Sequence, residues 1–111
     1  MKLSEVRGER VFDVIAEVID PIVDIAQDEN AAELFQPKEL PKGMTPWEFF
    51  LQRARKSLPA LVRDHKGEMA QIMACINGVT VEEYMDDLTL PKFFADLTEL
   101  LTDKEFTSFF S

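Results

Sequence analysis

Apolar residues recur along the chain with the period of an α-helix. From Val11 onward they fall four, three, four and three residues apart, which places on one helical face Val11, Ile15, Val18, Ile22 and Ile25. Further apolar residues widen this stripe: Phe12, Val14, Ile19, Val23 and Ala26. Pro21 lacks a backbone donor, so we expect the helix either to kink there or to restart with Asp20 as its N-cap. A short helical segment, Ala31 to Phe35, is predicted next, with Asn30 as its cap.

The segment Gln36–Met44 contains two prolines and a glycine and is predicted to be a loop. It separates an N-terminal helical hairpin from the rest of the chain. A boundary of this length, near residues 36–45, is too short to imply a second domain. We therefore expect residues 1–111 to form a single helical domain.

Capping boxes mark the starts of three later helices. In such a box, a threonine caps the helix and a glutamate three residues later reaches back to the cap. The pattern occurs as Thr45–Glu48, Thr80–Glu83 and Thr102–Glu105, which predicts helix starts near residues 46, 81 and 103. Pro59 predicts a bend or break near Leu58 in the first of these helices.

The remaining apolar pattern is also helical. Between residues 68 and 76 one face carries Met69, Ile72, Met73 and Ile76, and Asn77–Gly78 is a typical helix stop. The last third continues the period with Phe93, Leu97, Leu100 and Leu101. The sequence thus predicts an all-α protein, a single compact domain of about five to seven short helices, with Val18, Ile22, Leu97 and Leu101 in its core.

The composition is that of a folded, acidic domain. The 111 residues are 46% hydrophobic and 30% charged, which suits one modest core. Cys75 is the one cysteine, so an intrachain disulfide is excluded and a reducing compartment is expected. The charged N-terminus MKLSEVRGER lacks the apolar run of a signal peptide, and no stretch approaches the roughly 20 apolar residues that span a bilayer. We expect a cytoplasmic protein with no membrane partner.

The net charge of −9 is distributed unevenly. Residues 37–66 carry 7 basic and 3 acidic side chains, whereas both flanking segments are strongly acidic. The acidic balance argues against nucleic acid as a partner, because affinity for nucleic acid depends on neutralising phosphates. The basic residues form either a solvated helix face or a contact surface for an acidic partner or a second copy of this chain: Arg53, Arg55, Lys56, Arg63 and Lys66.

No catalytic, cofactor-binding or metal site is predicted. His65 is the one histidine and is interpreted as a surface residue, and Cys75 lies in an apolar setting typical of an inert core thiol. The acidic run Glu82–Asp87 lacks the alternating ligands and the glycine of a calcium loop, and its position at a helix start is explained by the helix dipole. We therefore predict that the protein is not an enzyme.

The sequence does not decide for every aromatic residue and methionine whether it lies in the core or on the surface. Two of the three aromatic residues Trp47, Phe49 and Phe50 are expected in the core, and four methionines are interpreted as core residues: Met44, Met69, Met73 and Met85. Near the C-terminus, three phenylalanines share one side of a predicted helix: Phe106, Phe109 and Phe110. They either cover the core or provide a sticky surface for a partner or for self-association.

Over most of its length the chain resembles the tail assembly chaperones of long-tailed bacteriophages, in the form found in phages and prophages of Gram-positive bacteria. The resemblance is carried by KLSEVRGERVFDVIAEVIDPIVDIAQD, by PKGMTPWEFFLQRARKSLPALVRDHKGEMAQIMACINGVTVEEY and by LTELLTDKEFTSFFS. It implies a helical, non-enzymatic protein of the host cytoplasm. Its partners would be the tape measure protein, which it keeps soluble, and the tail tube protein, whose polymerisation it assists. The alternative is a small acidic helical adaptor or regulatory module unrelated to phage.

Overall fold

Seven α-helices and two 3-10 segments make up the part of the chain that a computed structural model describes, residues 3–110 with the side chain of Ser4 left aside. Met1, Lys2 and Ser111, which belong to the predicted domain 1–111, lie outside the described residues. No β-strand occurs between residues 3 and 110, so the prediction of a compact all-α fold with five to seven helices is confirmed. The elements are 3-10 segment Leu3–Glu5, α1 Arg10–Ala26, α2 Glu29–Ala32, 3-10 segment Glu33–Phe35, α3 Pro46–Asp64, α4 Lys66–Asn77, α5 Val81–Asp87, α6 Leu90–Leu101 and α7 Lys104–Ser108.

Helix α1 packs along α4 at the centre of the fold, and it runs without interruption through Pro21. The predicted restart at Asp20 is therefore wrong. Proline leaves the carbonyl four residues earlier without its helical donor, and here the side-chain amide of Gln71 donates to that carbonyl, on Glu17, at 2.8 Å. The ring of Pro21 is buried, so tertiary contacts hold the helix together at this point.

The core side of α1 differs from the predicted stripe by about one residue position. Its buried residues are Val14, Val18, Pro21, Ile22 and Ile25. Ile15, which the spacing placed in the core, is exposed. The predicted burial of Val18, Ile22 and Leu97 is confirmed, whereas Leu101 is only half-buried.

Asp28, and not Asn30, caps the short helix α2. Its Oδ1 accepts hydrogen bonds from the backbone N–H groups of Asn30 and Ala31, and its Oδ2 lies 2.8 Å from Nε2 of His65. His65 is therefore buried at the junction of α3 and α4, and its predicted surface position is wrong. The two side chains connect the start of α2 to that junction.

Helix α3 is also continuous, so of the bend or break predicted near Leu58 the break does not occur. Pro59 and Arg55, the residue four positions earlier, are both exposed, so the carbonyl that loses its helical donor lies on the solvent side. The capping boxes at Thr45 and Thr80 are both confirmed. Ser57 is fully buried: its hydroxyl donates to Ala31 O at 3.0 Å and accepts from Leu34 N at 3.1 Å.

After α4 the chain continues as three short helices, of which α5 packs on α4 and α7 packs on α6 and on the first 3-10 segment. Gly78 ends α4 in the left-handed conformation, with a φ of 69°, as the Asn77–Gly78 stop predicted. The third capping box is wrong, because Asp103 caps α7 through the N–H groups of Glu105 and Phe106. Thr102 instead donates its hydroxyl proton back to the carbonyl of Thr98.

Candidate functional site

An apolar groove of about 440 Å³ lies between the end of α3, the first half of α4, helix α5 and the start of α6. The side chains of Met69, Met73 and Tyr84 form its floor, and all three are buried. Among the described residues that line it, Lys66, Tyr84 and Thr89 are the ones with polar side-chain groups. The groove therefore offers apolar surface to a ligand and very few polar groups.

A hydrogen-bond network holds the walls of the groove in place. The hydroxyl of Tyr84 in α5 donates to Oδ2 of the buried Asp96 in α6 at 2.6 Å. The ammonium group of Lys92 lies 3.1 Å from the other oxygen of Asp96 and 2.8 Å from Oδ1 of Asn77, whose amide donates to Met73 O. Burial, with Asp96 beside it, raises the pKa of the Tyr84 phenol, which therefore stays protonated and continues to donate. The network connects α4, α5 and α6.

Large apolar side chains stand exposed along the rim of the groove. Leu90 is 74% exposed and Phe94 45% exposed at the start of α6, and Met85 and Val62 are exposed on the other walls. The predicted core position of Met85 is therefore wrong. Met69 and Met73 are buried as predicted, and Met44 is half-buried in the loop before α3. Contiguous exposed apolar surface of this kind is typical of an interaction site.

The basic residues predicted as one surface divide into two groups. Arg53 turns towards the chain: its Nη2 donates to the carbonyls of Glu33 and Gln36, and its guanidinium lies 5.3 Å from the Phe49 ring centre. The ammonium group of Lys56 lies 3.6 Å from Glu33 Oε2, although most of the side chain is exposed.

The other three basic residues are exposed and form no ion pair within residues 3–110: Arg55, Arg63 and Lys66. Lys66 lines the apolar groove. The structure therefore places one of the five predicted basic residues directly at the candidate site and uses Arg53 to fasten the second 3-10 segment to α3.

The aromatic residues at the start of α3 are less buried than predicted. Trp47 is exposed and stacks on Phe50, with ring centres 5.6 Å apart. Phe50 is half-buried and packs against the core, and Phe49 is half-buried beside Arg53. The expectation that two of the three lie in the core is therefore wrong, because only Phe50 packs against it.

The three C-terminal phenylalanines are also divided between core and surface. Phe106 and Phe110 are buried, and each has its ring centre 5.1 Å from that of Phe35 in the second 3-10 segment. Phe109 is 51% exposed and lines a hollow of about 310 Å³ beside α1. Phe106 and Phe110 thus cover the core, which was one of the two predicted roles. Phe109 lies on the surface, as the other predicted role requires.

His65 and Cys75, the remaining candidate reactive residues, lie in different parts of the fold. His65 lies between Asp28 and Glu68, with Nδ1 3.5 Å from Glu68 Oε1. Cys75 is buried as predicted, and burial together with Glu17 raises the pKa of its thiol to about 12. Over the described residues, no three histidine, cysteine or acidic side chains come together as a metal-binding group.

Comparisons with known proteins return no match, whether with protein-family models, curated proteins or solved structures. The resemblance to tail assembly chaperones therefore stays a prediction. Of the helices described between residues 3 and 110, none has the length and apolar character needed to cross a membrane.

The groove was not predicted from the sequence. Its signal lies at the start of α6, where Leu90 continues the stripe of Phe93, Leu97 and Leu100 by one turn beyond the buried residues and Phe94 widens it. This surplus indicates a second apolar surface on α6. The sequence gives no indication of the neighbouring walls from α3 and α5, which only the fold brings together.

Proposed function

We propose that this protein is a non-enzymatic assembly chaperone that covers apolar segments of a helical partner and keeps that partner soluble. The observation that supports the proposal is the apolar groove bounded by α3, α4, α5 and α6. Its few polar groups suit it to burying apolar side chains, because transfer of apolar surface out of water drives such binding.

The shape and composition of the groove suit an amphipathic helix as ligand. Such a helix presents large side chains at positions i, i+3 or i+4 and i+7, which enter a groove of this kind as anchors. Methionine is flexible and polarisable, so Met69, Met73 and Met85 can adapt to different anchors. A client with many similar but unequal helical segments would be bound well by a surface of this type.

The resemblance to tail assembly chaperones supplies the identity of the client. On that basis the partner is the tape measure protein, which is long and aggregation-prone, and the tail tube protein polymerises around it with the chaperone's assistance. The proposed site of action is the cytoplasm of the bacterial host. The alternative, an acidic helical adaptor unrelated to phage, would use the same groove for a different partner.

Co-expression with the proposed client tests the function. The gene neighbourhood should contain a tail tube gene upstream and a very long, helix-rich gene downstream, and the product of the long gene is the client to use. The chain should increase the soluble fraction of that product and co-purify with it. The double variant Leu90→Ser with Phe94→Ser should bind the client at least about tenfold more weakly, because it removes two exposed anchor contacts.

The matched control is Leu51→Ser, which removes an exposed leucine from α3 outside the groove. We expect this variant to retain client binding and solubilisation. If the groove variant and the control solubilise the client equally well, the groove is not the binding site. If the chain binds an unrelated regulatory protein and leaves the client insoluble, the adaptor alternative replaces the chaperone proposal.

A further inference from the structure

A second apolar surface lies on α1, on a part of the helix that faces away from α4. Phe12, Ile15, Ile19 and Val23 are exposed there, and their spacing of three, four and four residues places them in one row along the helix. The row, here called the α1 stripe, extends for roughly 16 Å at the α-helical rise per residue. Beside the stripe, the exposed ring of Phe109 lines a hollow together with Ile15.

Acidic residues accompany the stripe along its length. Asp13, Asp20 and Asp24 each follow a stripe residue directly in the sequence, after Phe12, Ile19 and Val23. Because successive helical residues are about 100° apart, the three carboxylates form a parallel row beside the stripe. All three are exposed, and within residues 3–110 none of them forms an ion pair.

We propose that the α1 stripe binds an amphipathic helix of another protein that carries lysine or arginine residues beside its apolar face. A straight, narrow apolar row on a helix is matched by a second helix lying along it, with charged flanks that select the partner. The acidic row requires a basic flank on the partner, and it repels anionic membrane surfaces. This site is independent of the groove proposed above.

The charges of this chain favour a different protein over a second copy as the occupant. Two copies with a net charge of −9 each repel one another. Three of the 7 basic side chains of residues 37–66 are also engaged within the chain, because Lys38 and Lys56 pair with Glu33 and Arg53 binds two carbonyls. A partner with its own basic flank avoids both difficulties.

Fluorescence anisotropy with two synthetic helical peptides tests the inference. Both peptides carry the same row of leucines, one flanked by lysines and the other by glutamates, and each is titrated with the full chain. The lysine-flanked peptide should bind at least about tenfold more tightly than the glutamate-flanked peptide, and the difference should shrink as salt is added. The variant Phe12→Ser should weaken that binding by about tenfold.

Matched variants separate the stripe from general attraction to an acidic protein. Leu51 on α3 is exposed and lies outside both the groove and the α1 stripe, so Leu51→Ser is the control for Phe12→Ser and should leave peptide binding unchanged. Neutralising the acidic row, with the three aspartates replaced by asparagine, should weaken binding by about tenfold. The same charge change in α5, at Glu82, Asp86 and Asp87, should have little effect.

Three results would overturn the inference. The first is equal weakening by the α1 and α5 charge variants, which would indicate non-specific electrostatics. The second is unchanged peptide binding by Phe12→Ser. The third is self-association, measured by sedimentation, that Phe12→Ser abolishes while neither peptide binds, because a second copy of the chain would then occupy the stripe.

Discussion

Phe106 should be one of the strongest single contributors to the stability of this fold, although it lies five residues from the end of the chain. Its side chain is fully buried, and its ring meets Phe35 edge-on at 5.1 Å and Phe110 at 5.3 Å. Phe106 therefore fastens α7 to the second 3-10 segment, which lies far from it in the sequence. The variant Phe106→Ala removes this connection.

The expected cost of Phe106→Ala is roughly 3–5 kcal/mol in the free energy of unfolding, the range for replacing a buried phenylalanine by alanine. Part of that cost is the lost transfer of the ring out of water, and part is the cavity left beside Phe35 and Phe110. Two favourable ring pairs disappear as well, and each is worth roughly 0.5–1.5 kcal/mol beyond its buried area. The loss is therefore expected towards the upper end of the range.

Urea denaturation followed by circular dichroism measures this loss, with Phe109→Ala as the control. Phe109 lies on the same short terminal segment but is half exposed, so its replacement should cost less than about 1 kcal/mol. Equal destabilisation by the two variants, or a loss below about 1 kcal/mol for Phe106→Ala, would refute the assignment of Phe106 to the core. We expect deletion of residues 106–110 to destabilise the fold severely. A deletion that leaves the fold intact would likewise refute the core position of Phe106.

Three further predictions concern buried polar groups and the thiol. Burial lowers the pKa of His65, but Asp28 and Glu68 raise it more, so the stabilisation from the protonated form should be complete below about pH 6.5 and lost as pH rises through the raised pKa. The free energy of unfolding should fall over that window with a slope of up to about 1.4 kcal/mol per pH unit, and this slope should be absent in His65→Gln. Ser57→Ala should lower the free energy of unfolding, measured by urea denaturation, by roughly 1–3 kcal/mol, because it leaves the carbonyl of Ala31 and the N–H of Leu34 without their side-chain partner. Ser57→Thr tests whether a hydroxyl at this position is enough to restore stability, and an unchanged free energy of unfolding in Ser57→Ala would contradict the role of these hydrogen bonds. Cys75, with its pKa raised to about 12, should resist thiol reagents in the folded protein and react on unfolding in urea, and rapid labelling of the native protein would contradict its burial.

Helix caps could be predicted from the sequence only where one candidate residue was available. The boxes at Thr45 and Thr80 depend on residues three positions apart, so local sequence determines them. At the starts of α2 and α7 an aspartate stands near the predicted cap, and the carboxylate accepts two backbone N–H groups in each case. A charged acceptor at a helix N-terminus is favoured by the dipole, which is why Asp28 and Asp103 occupy the cap positions.

The two prolines show where local rules were insufficient. Each removes one helical hydrogen bond, and the sequence alone suggested that the helices kink or break at these points. At Pro21 the side chain of Gln71, 50 residues further along the chain, supplies a replacement donor, whereas Pro59 and Arg55 both lie on the exposed side of α3. Both solutions depend on tertiary position, which the local pattern does not contain.

The apolar residues of α1 cover a wider arc of the helix than its buried face, and the extra residues point to a second contact surface. Periodicity predicted a stripe and then widened it with Phe12, Ile19 and Val23, without a reason for the extra width. The buried residues of α1 already provide its packing on α4 and α2, so the exposed apolar residues beyond them mark a candidate second interface. In α1 each of the three extra residues precedes an aspartate, and in α6 Leu90 and Phe94 extend a core stripe into the groove. Apolar residues beyond those buried in the core, across the width of the arc on α1 and at the N-terminal end of the stripe on α6, are therefore the part of each candidate binding surface that the sequence contains.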